Sequence, residues 1–358
     1  MAGLQVGIVG YGMMGRLHAR TWASIRDAEV AAVVDPDEVA QERAAEEHNC
    51  QVFDSIELML HHVIPLHLVV IATHAALHHR QTLLALRARC DVICEKPVAL
   101  NLVEADEMVN LAHARGRCLA VHHQGSFSDA VIDAVRRIRQ GEIGGIRFIE
   151  AVGKGGLAPY DLMEVGLHQL HLIHTIAGPA KRAFGHVQER GRDVVLPDDA
   201  LVIKERYPVG RDCGIGAGDY IFGYFEFTRG VNASIRYERL PERSDEYMTT
   251  HIYGTKGQLL LGHSSSWRLW TKPTPQDTWA LNKWNDADLG WEPDPEYTVM
   301  MGRFARDVDE AIRKRKHRPL VSGKEGRAAL EMAHAIYASH RLGQPVHLPL
   351  ENRFHPCL

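Results

Sequence analysis

A short apolar run, Leu4 to Val9, leads directly into Gly10, Gly12 and Gly15, and this spacing constrains the fold more than any other feature of the chain. It fits G-x-G-x-x-G between a strand and a helix. The first glycine permits a tight turn, the second lets backbone approach a pyrophosphate, and the third lets helix and strand pack closely. The helix that follows offers free N–H groups and the positive end of its dipole to phosphate. A second apolar stretch, "AEVAAVVDPDE", ends on Asp35, twenty residues beyond Gly15. A carboxylate there accepts ribose hydroxyls and repels a 2′-phosphate, and Asp37 adds to the repulsion. Gly10, Tyr11, Gly12, Met13, Met14, Gly15 and Asp35 are therefore expected to hold NAD rather than NADP. Asp35 and Asp37 also read as helix-capping residues in a "DPDE" turn.

The alternation of strand and helix continues. "HLVVIATHAALHHRQTLLALRA" is a strand entering a helix, "CDVICEKPVAL" a further strand, "EADEMVNLAHARG" a helix, and "RCLAVHHQGSF" closes the series. Repeated βα units with short connections predict a doubly wound parallel sheet, whose ligands sit beyond the carboxyl ends of the strands. Thr73 with His74, Glu95 with Lys96, and His122 with His123 all fall on that edge, placing Lys96 where a nicotinamide would lie. His78 and His79 read as capping or packing residues of the helix after Thr73. Beyond this region the pattern changes. "DYIFGYFEFTRGVNASIRYERL" alternates apolar and polar residues around Thr228-Arg229-Gly230, and "THIYGTKGQLLLG" turns at Gly254 to Gly257. Both are hairpins, following one another without helices. The boundary is expected near residue 123, with 1–122 binding dinucleotide and 123–358 forming a second domain.

A length of 358 residues accommodates two domains, and a net charge of −4 leaves no basic footprint for nucleic acid. No apolar run is long enough for a membrane span, and the N-terminus has no signal-peptide pattern. Six cysteines form neither a CxxC pair nor a dense framework, which predicts reduced thiols in a cytoplasm.

The sequence resembles the Gfo/Idh/MocA family, the glucose-fructose oxidoreductase and inositol dehydrogenase group. The resemblance rests on "GIVGYGMMGRLH", "VVIATHAALHH", "CEKPVAL", "EVGLHQLHLIHTIAG", "YGTKGQLLL" and "ALEMAHAIYASHRLGQPVHLPL", which span nearly the whole chain. It implies an N-terminal Rossmann domain and a C-terminal α+β domain. The latter would carry a large, mainly antiparallel open sheet, the substrate site and often an oligomer interface. It also implies a lysine working with an aspartate and histidine spaced D-x-x-x-H. Lys96 and His168 match the lysine and histidine. Glu164 stands at the aspartate position, one methylene longer. His171 stands where relatives often carry an acid, and His74 replaces the usual proline.

Residues 164, 168 and 171 lie at i, i+4 and i+7, so an α-helix would put them on one face. Oxidation of a carbinol needs a base for the hydroxyl proton, and histidine suits that work near neutral pH. His168 is expected as acid/base, oriented by Glu164. Lys96 is expected to stabilise the developing alkoxide, with Pro97 holding its backbone and Glu95 facing the cofactor or tethering the loop. His123, Lys154, Tyr160, Glu164, His168 and His171 are expected near the substrate.

Glu164, His168 and His171 with His122 or His123 have residue types suited to zinc. Relatives work without metal, however, and the 22 histidines are spread along the chain, so no metal is expected. Five of six tryptophans fall between 267 and 291 and suit a sugar ring, an interface or a core. The expected activity is an NAD-dependent oxidation of a secondary hydroxyl on a sugar, polyol or sugar derivative. The alternatives are an NAD-recycling glycosidase and a non-catalytic NAD-sensing regulator. A homodimer or homotetramer is expected, because open sheet edges and faces need covering.

Overall fold

Strands buried at every residue must be covered on both faces, and both Leu68–Ile71 and Asp91–Cys94 are buried throughout. The computed structural model describes residues 3–155, 162–204, 212–239, 248–263, 267–272, 274, 277, 280–281, 295–315 and 318–358. The first part runs β1 (Leu4–Val9), α1 (Met13–Ala23), β2 (Ala28–Val34), α2 (Glu38–His48), β3 (Gln51–Phe53) and α3 (Ile56–His62). It continues through β4 (Leu68–Ile71), α4 (Ala75–Arg87), β5 (Asp91–Cys94), α5 (Leu102–Ala114) and β6 (Leu119–Val121). The six strands are parallel in the order β3-β2-β1-β4-β5-β6. This is the doubly wound sheet predicted from the alternation.

Local chemistry sets the helix ends. Asp37 caps α2 through Val39 N–H, and Asn101 caps α5 through Glu104 N–H. Glu104 reciprocates by accepting from Leu100 N–H at 3.2 Å. Asn49 closes α2 in the left-handed region at φ 50°.

The second part opens with α6 (Asp129–Arg139), β7 (Ile146–Gly155) and a π turn (Leu162–Gly166) that runs into α7 (Leu167–Ala177). The strands that follow are β8 (Ala180–Glu189), β9 (Arg192–Asp193), β10 (Leu201–Lys204), β11 (Asp212–Gly216), β12 (Tyr220–Phe227) and β13 (Asn232–Arg239). Next come β14 (Met248–Gly254), β15 (Gln258–His263), β16 (Trp267–Lys272) and β17 (Ala280–Leu281). The chain ends with α8 (Pro295–Lys314), α9 (Gly323–Leu342) and β18 (Val346–His347). The large sheet has the order β17-β16-β15-β14-β7-β13-β12-β8-β18, with β9 on β8. Among the described residues only β7 and β13 pair in parallel, so this sheet is mixed and mostly antiparallel. The hairpins β12–β13 and β14–β15 turn where the sequence pattern places them.

The chain divides into two compact units. One comprises residues 1–123, 211–213 and 301–327, and the other comprises 124–210, 214–300 and 328–358. The sequence pattern assigns everything after 122 to the second domain, whereas 301–327 cluster with the first. That returning segment is tied in by Val121 N–H to Val321 O at 3.0 Å. It is tied again by the buried Asp91 carboxylate, which accepts from Cys118 N–H at 2.8 Å and Arg315 Nη1 at 2.7 Å.

In the second unit, two glycines let a helix lie against the sheet. Gly185 and Gly223 are register partners on β8 and β12. A Cβ on Gly185 would stand 1.9 Å from the Ile336 carbonyl oxygen, and one on Gly223 2.7 Å from the Ile336 side chain. α7 is anchored differently, through the buried Gln169. Its Nε2 donates to Thr249 O at 2.8 Å, and its Oε1 accepts from Tyr237 O–H at 2.9 Å.

Gly185→Ala forces backbone apart rather than a flexible side chain. It is expected to cost about 3 kcal/mol of unfolding free energy, read from chemical denaturation monitored by circular dichroism.

Candidate active site

Parallel register builds the edge of the first sheet. Val9, Ile71, Cys94 and Val121 are successive partners across β1, β4, β5 and β6. Gly10, Ala72, Glu95 and His122 are therefore the next row outward. Their amides extend the ladder beyond the strands, with Ala72 N–H to Val9 O, Glu95 N–H to Ile71 O and His122 N–H to Cys94 O.

The glycine turn fits a pyrophosphate on geometric grounds. Gly10 has φ 88°, and a Cβ there would sit 2.7 Å from Ala72 O. A Cβ on Gly15 would lie 1.8 Å from Gly10 O, so α1 packs directly on the turn. Gly12 has open space within 4 Å of a built Cβ, and as the N-cap of α1 it makes no side-chain cap bond. The first amides of α1 thus face a cradle without a competing side chain. Tyr11 is buried, whereas Met13 is 65% exposed. Asp35 accepts from Tyr11 N–H at 2.7 Å and from Asp37 N–H at 3.0 Å. It braces the turn while its remaining lone pairs stay available to ribose hydroxyls.

The loops beside the turn are held by buried groups. Thr73 Oγ1 donates to Gln81 at 2.6 Å, and His74 is the N-cap residue of α4. His78 is buried, with Nδ1 2.8 Å from Pro97 O and Nε2 2.9 Å from Thr73 O. Both oxygens only accept, and a neutral imidazole has one N–H, so only the charged ring serves both at once. Burial pulls the other way and lowers its pKa. His78 therefore joins the Thr73 loop to the Lys96-Pro97 loop. Lys96 is partly exposed, and Pro97 is buried.

The Glu95 carboxylate turns inward. Oε1 accepts from His18 Nε2 at 2.9 Å and from His122 Nδ1 at 2.8 Å, while Oε2 lies 3.3 Å from Lys96 N–H. Burial opposes its charge, yet His122 and His18 hold its pKa well below the usual carboxylate range. Burial also lowers the pKa of His18. His123 is buried beside this row. The strand-end motifs mark Glu95 and His122 in the sequence, whereas nothing local marks His18. Spacing along α1 does not say which turn faces β5.

The second unit carries the remaining candidates. His168 lies on α7, half-buried, and His171 is buried one turn on, its Nδ1 sharing a 3.1 Å hydrogen bond with Ser126 Oγ. Ser126 was not anticipated, because no motif marks it. Glu164 sits within the π turn, so α-helical angles begin only at Leu167. His168 and His171 share α7, as their spacing predicts. The side chains of Lys154 and Glu164, and all of Tyr160, lie outside the described residues, as do Trp279, Trp284 and Trp291.

Comparison with known proteins agrees with this architecture. Residues 4–123 match the family model described as "Oxidoreductase family, NAD-binding Rossmann fold". Residues 154–348 match "Oxidoreductase family, C-terminal alpha/beta domain". The chain is similar to a UDP-N-acetylglucosamine 3-dehydrogenase of Acidithiobacillus ferrooxidans, 29% identical over 50% of this chain and 56% of that protein. It is also similar to a 2,7-anhydro-N-acetylneuraminate hydratase of Escherichia coli, 29% identical over 72% of this chain and 67% of that one. The chain thus spans about half the length of the first of these relatives. Among solved structures, levoglucosan dehydrogenase in complex with NADH shares the fold. Its TM-score is 0.79 at 18% identity, over 97% of this chain and 100% of that one.

Burial pushes the His171 imidazole down to about 3 from 6.5, and neighbouring His174 adds to the shift. A histidine with a depressed folded pKa stabilises fully above its unfolded value, and that stability is lost as pH falls. His171→Asn keeps an amide near Ser126 but removes the titration. Between about pH 7.5 and about pH 5 it is expected to lose about 2 kcal/mol less stability than the parent, measured by denaturant titration.

Proposed function

The chain belongs to the Gfo/Idh/MocA oxidoreductase family, and from that premise we propose that it moves a hydride between NAD and a secondary hydroxyl of a sugar, polyol or sugar derivative. The reading rests above all on Lys96. It follows a buried strand end braced by Glu95 and His78, on the sheet edge that also carries the glycine turn.

Gly10, Tyr11, Gly12, Met13, Met14 and Gly15 would hold the pyrophosphate, and Asp35 the adenosine ribose. Thr73, His74, His78, Glu95, Lys96 and Pro97 would frame the nicotinamide. Bound NAD supplies the hydride acceptor. His168 takes the hydroxyl proton on a ring nitrogen as the carbinol carbon becomes a carbonyl. Lys96 Nζ donates a hydrogen bond to the same oxygen and stabilises its developing charge. Glu164 orients His168. His123, Lys154, Tyr160 and His171 line the substrate side. The similarity to enzymes named for sugar dehydrogenation supports a carbohydrate substrate.

The relative named as a hydratase favours a second reading, in which oxidation is transient and NAD is regenerated within one turnover. The half-exposed Phe222 and Tyr224 on β12, with Phe184 on β8, support self-association through the sheet as a homodimer or homotetramer. Among the described residues no helix is long and apolar enough to cross a membrane. Free thiols at Cys50, Cys90, Cys94, Cys118 and Cys357 support a reducing compartment such as the cytoplasm.

The test is an absorbance scan at the NADH band with NAD and a panel of sugars, polyols and aryl glycosides. Stoichiometric NADH from one sugar class supports the dehydrogenase, and substrate conversion without net NADH supports the second reading. Lys96→Ala is expected to lower turnover at least about 100-fold while NADH still binds, as read by its fluorescence. Asp35→Ser removes the acid that repels a 2′-phosphate. It is expected to raise the NADP to NAD ratio of kcat/KM about tenfold in the same assay.

A further inference from the structure

The cluster of His18, Glu95 and His122 lies inside the first unit, behind the residue to which the reaction is assigned. All three side chains are buried, at 1%, 5% and 0% exposure. They come from three separate elements: His18 from α1, Glu95 from the end of β5 and His122 from the end of β6. Their polar atoms converge within 4.8 Å of one another.

The geometry says what the cluster does. Both imidazoles address the same carboxylate oxygen, at 2.9 and 2.8 Å. These are hydrogen-bond lengths, and a carboxylate only accepts, so each ring nitrogen donates. With Oε1 doubly engaged, the carboxylate cannot rotate, and Oε2 is directed to Lys96 N–H at 3.3 Å. The two rings stand 4.7 Å apart, and both lie edge-on to Phe304, which closes the cluster on a further side. Among the described residues, His122 Nε2 is buried without a hydrogen-bond partner.

We propose that His18 and His122 are positioning residues for Lys96, acting through the Glu95 carboxylate. This rests on the reading of Lys96 given above. His18 also ties the cluster to α1, the helix whose first amides face the pyrophosphate cradle. One carboxylate therefore couples the cofactor-binding helix to the lysine loop.

Amide substitutions separate this role from its rivals. His122 donates through Nδ1, which asparagine can imitate, and His18 donates through Nε2, which glutamine can imitate. His122→Asn and His18→Gln therefore keep a donor, whereas His122→Leu and His18→Leu remove it. In the full chain, hydrogen–deuterium exchange at the Lys96 amide is measured by mass spectrometry, helped by the absence of an amide on Pro97. kcat and KM are measured alongside with the NAD-linked sugar substrate.

The leucine variants are expected to exchange the Lys96 amide, and to lose kcat, by about tenfold, with KM little changed. The amide variants are expected to return both towards the parent values. Leucine variants that fold with unchanged exchange and kcat would overturn the proposal and leave a packing role. Should the leucine variants not fold, the amide variants decide alone, and faster Lys96 exchange in them would sink it. A stoichiometric transition metal in the purified protein, lost in both amide variants, would make the cluster a metal site instead. If the parent oxidises no sugar but the exchange pattern holds, the sugar reading fails and the positioning of Lys96 stands.

Discussion

A carboxylate taken out of water must be compensated, and in the first unit that requirement falls on Glu95. Its partners are two imidazoles from different elements and the amide of the next residue. The charge therefore cannot be satisfied unless α1, β5 and β6 are all in place. The lysine to which the reaction is assigned and the glycine turn lie one step outward from it. Lys96 follows it in the chain, and the glycine turn occupies the same register row two strands away. A buried charge of this kind is weak evidence for stability. Its consequence here is geometric, because it leaves the lysine loop one arrangement in which every partner is met.

The histidine surplus takes on a common meaning in this light. His78 spans two loop carbonyls. His340 accepts from Val187 N–H through Nδ1 and donates to Val194 O through Nε2, which sets its tautomer. His171 reaches Ser126. A flat ring with two polar atoms on opposite edges can join two backbone segments about one ring-width apart, and these sites use it so. The second unit relies on close approach as well as on such ties. Gly185 and Gly223 leave room for Ile336, Gly153 leaves room for Tyr237, and Gln169 fastens α7 across the sheet. The base assigned to the reaction rides on that fastened helix.

Much of this was legible in the chain. The glycine spacing, the strand run before it and Asp35 twenty residues on are local signals, and each glycine has a steric reason in the structure. The hairpins were readable because alternation and turn residues sit within a few positions of one another. Other features were not readable. Residues 301–327 join the first unit, but nothing in an amphipathic helix names the sheet it will cover. Nothing in the local sequence announces the π turn at Leu162–Gly166. Such an extra residue per turn is chosen by packing around the helix rather than by propensity. His18 carries no local signal, because its partner lies 77 residues away.

By itself the sequence determined the order of elements, the doubly wound first sheet, the dinucleotide-type turn and the residues available for chemistry. Those follow from periodicity, glycine sterics and side-chain type, all set within a few residues of chain. Only the tertiary structure decided that Glu95 faces inward, that His18 and His122 meet on one oxygen, and that His78 bridges two loops. Such contacts depend on strand register and helix rotation. Both are settled when distant segments compete to bury the same surface and satisfy the same polar atoms.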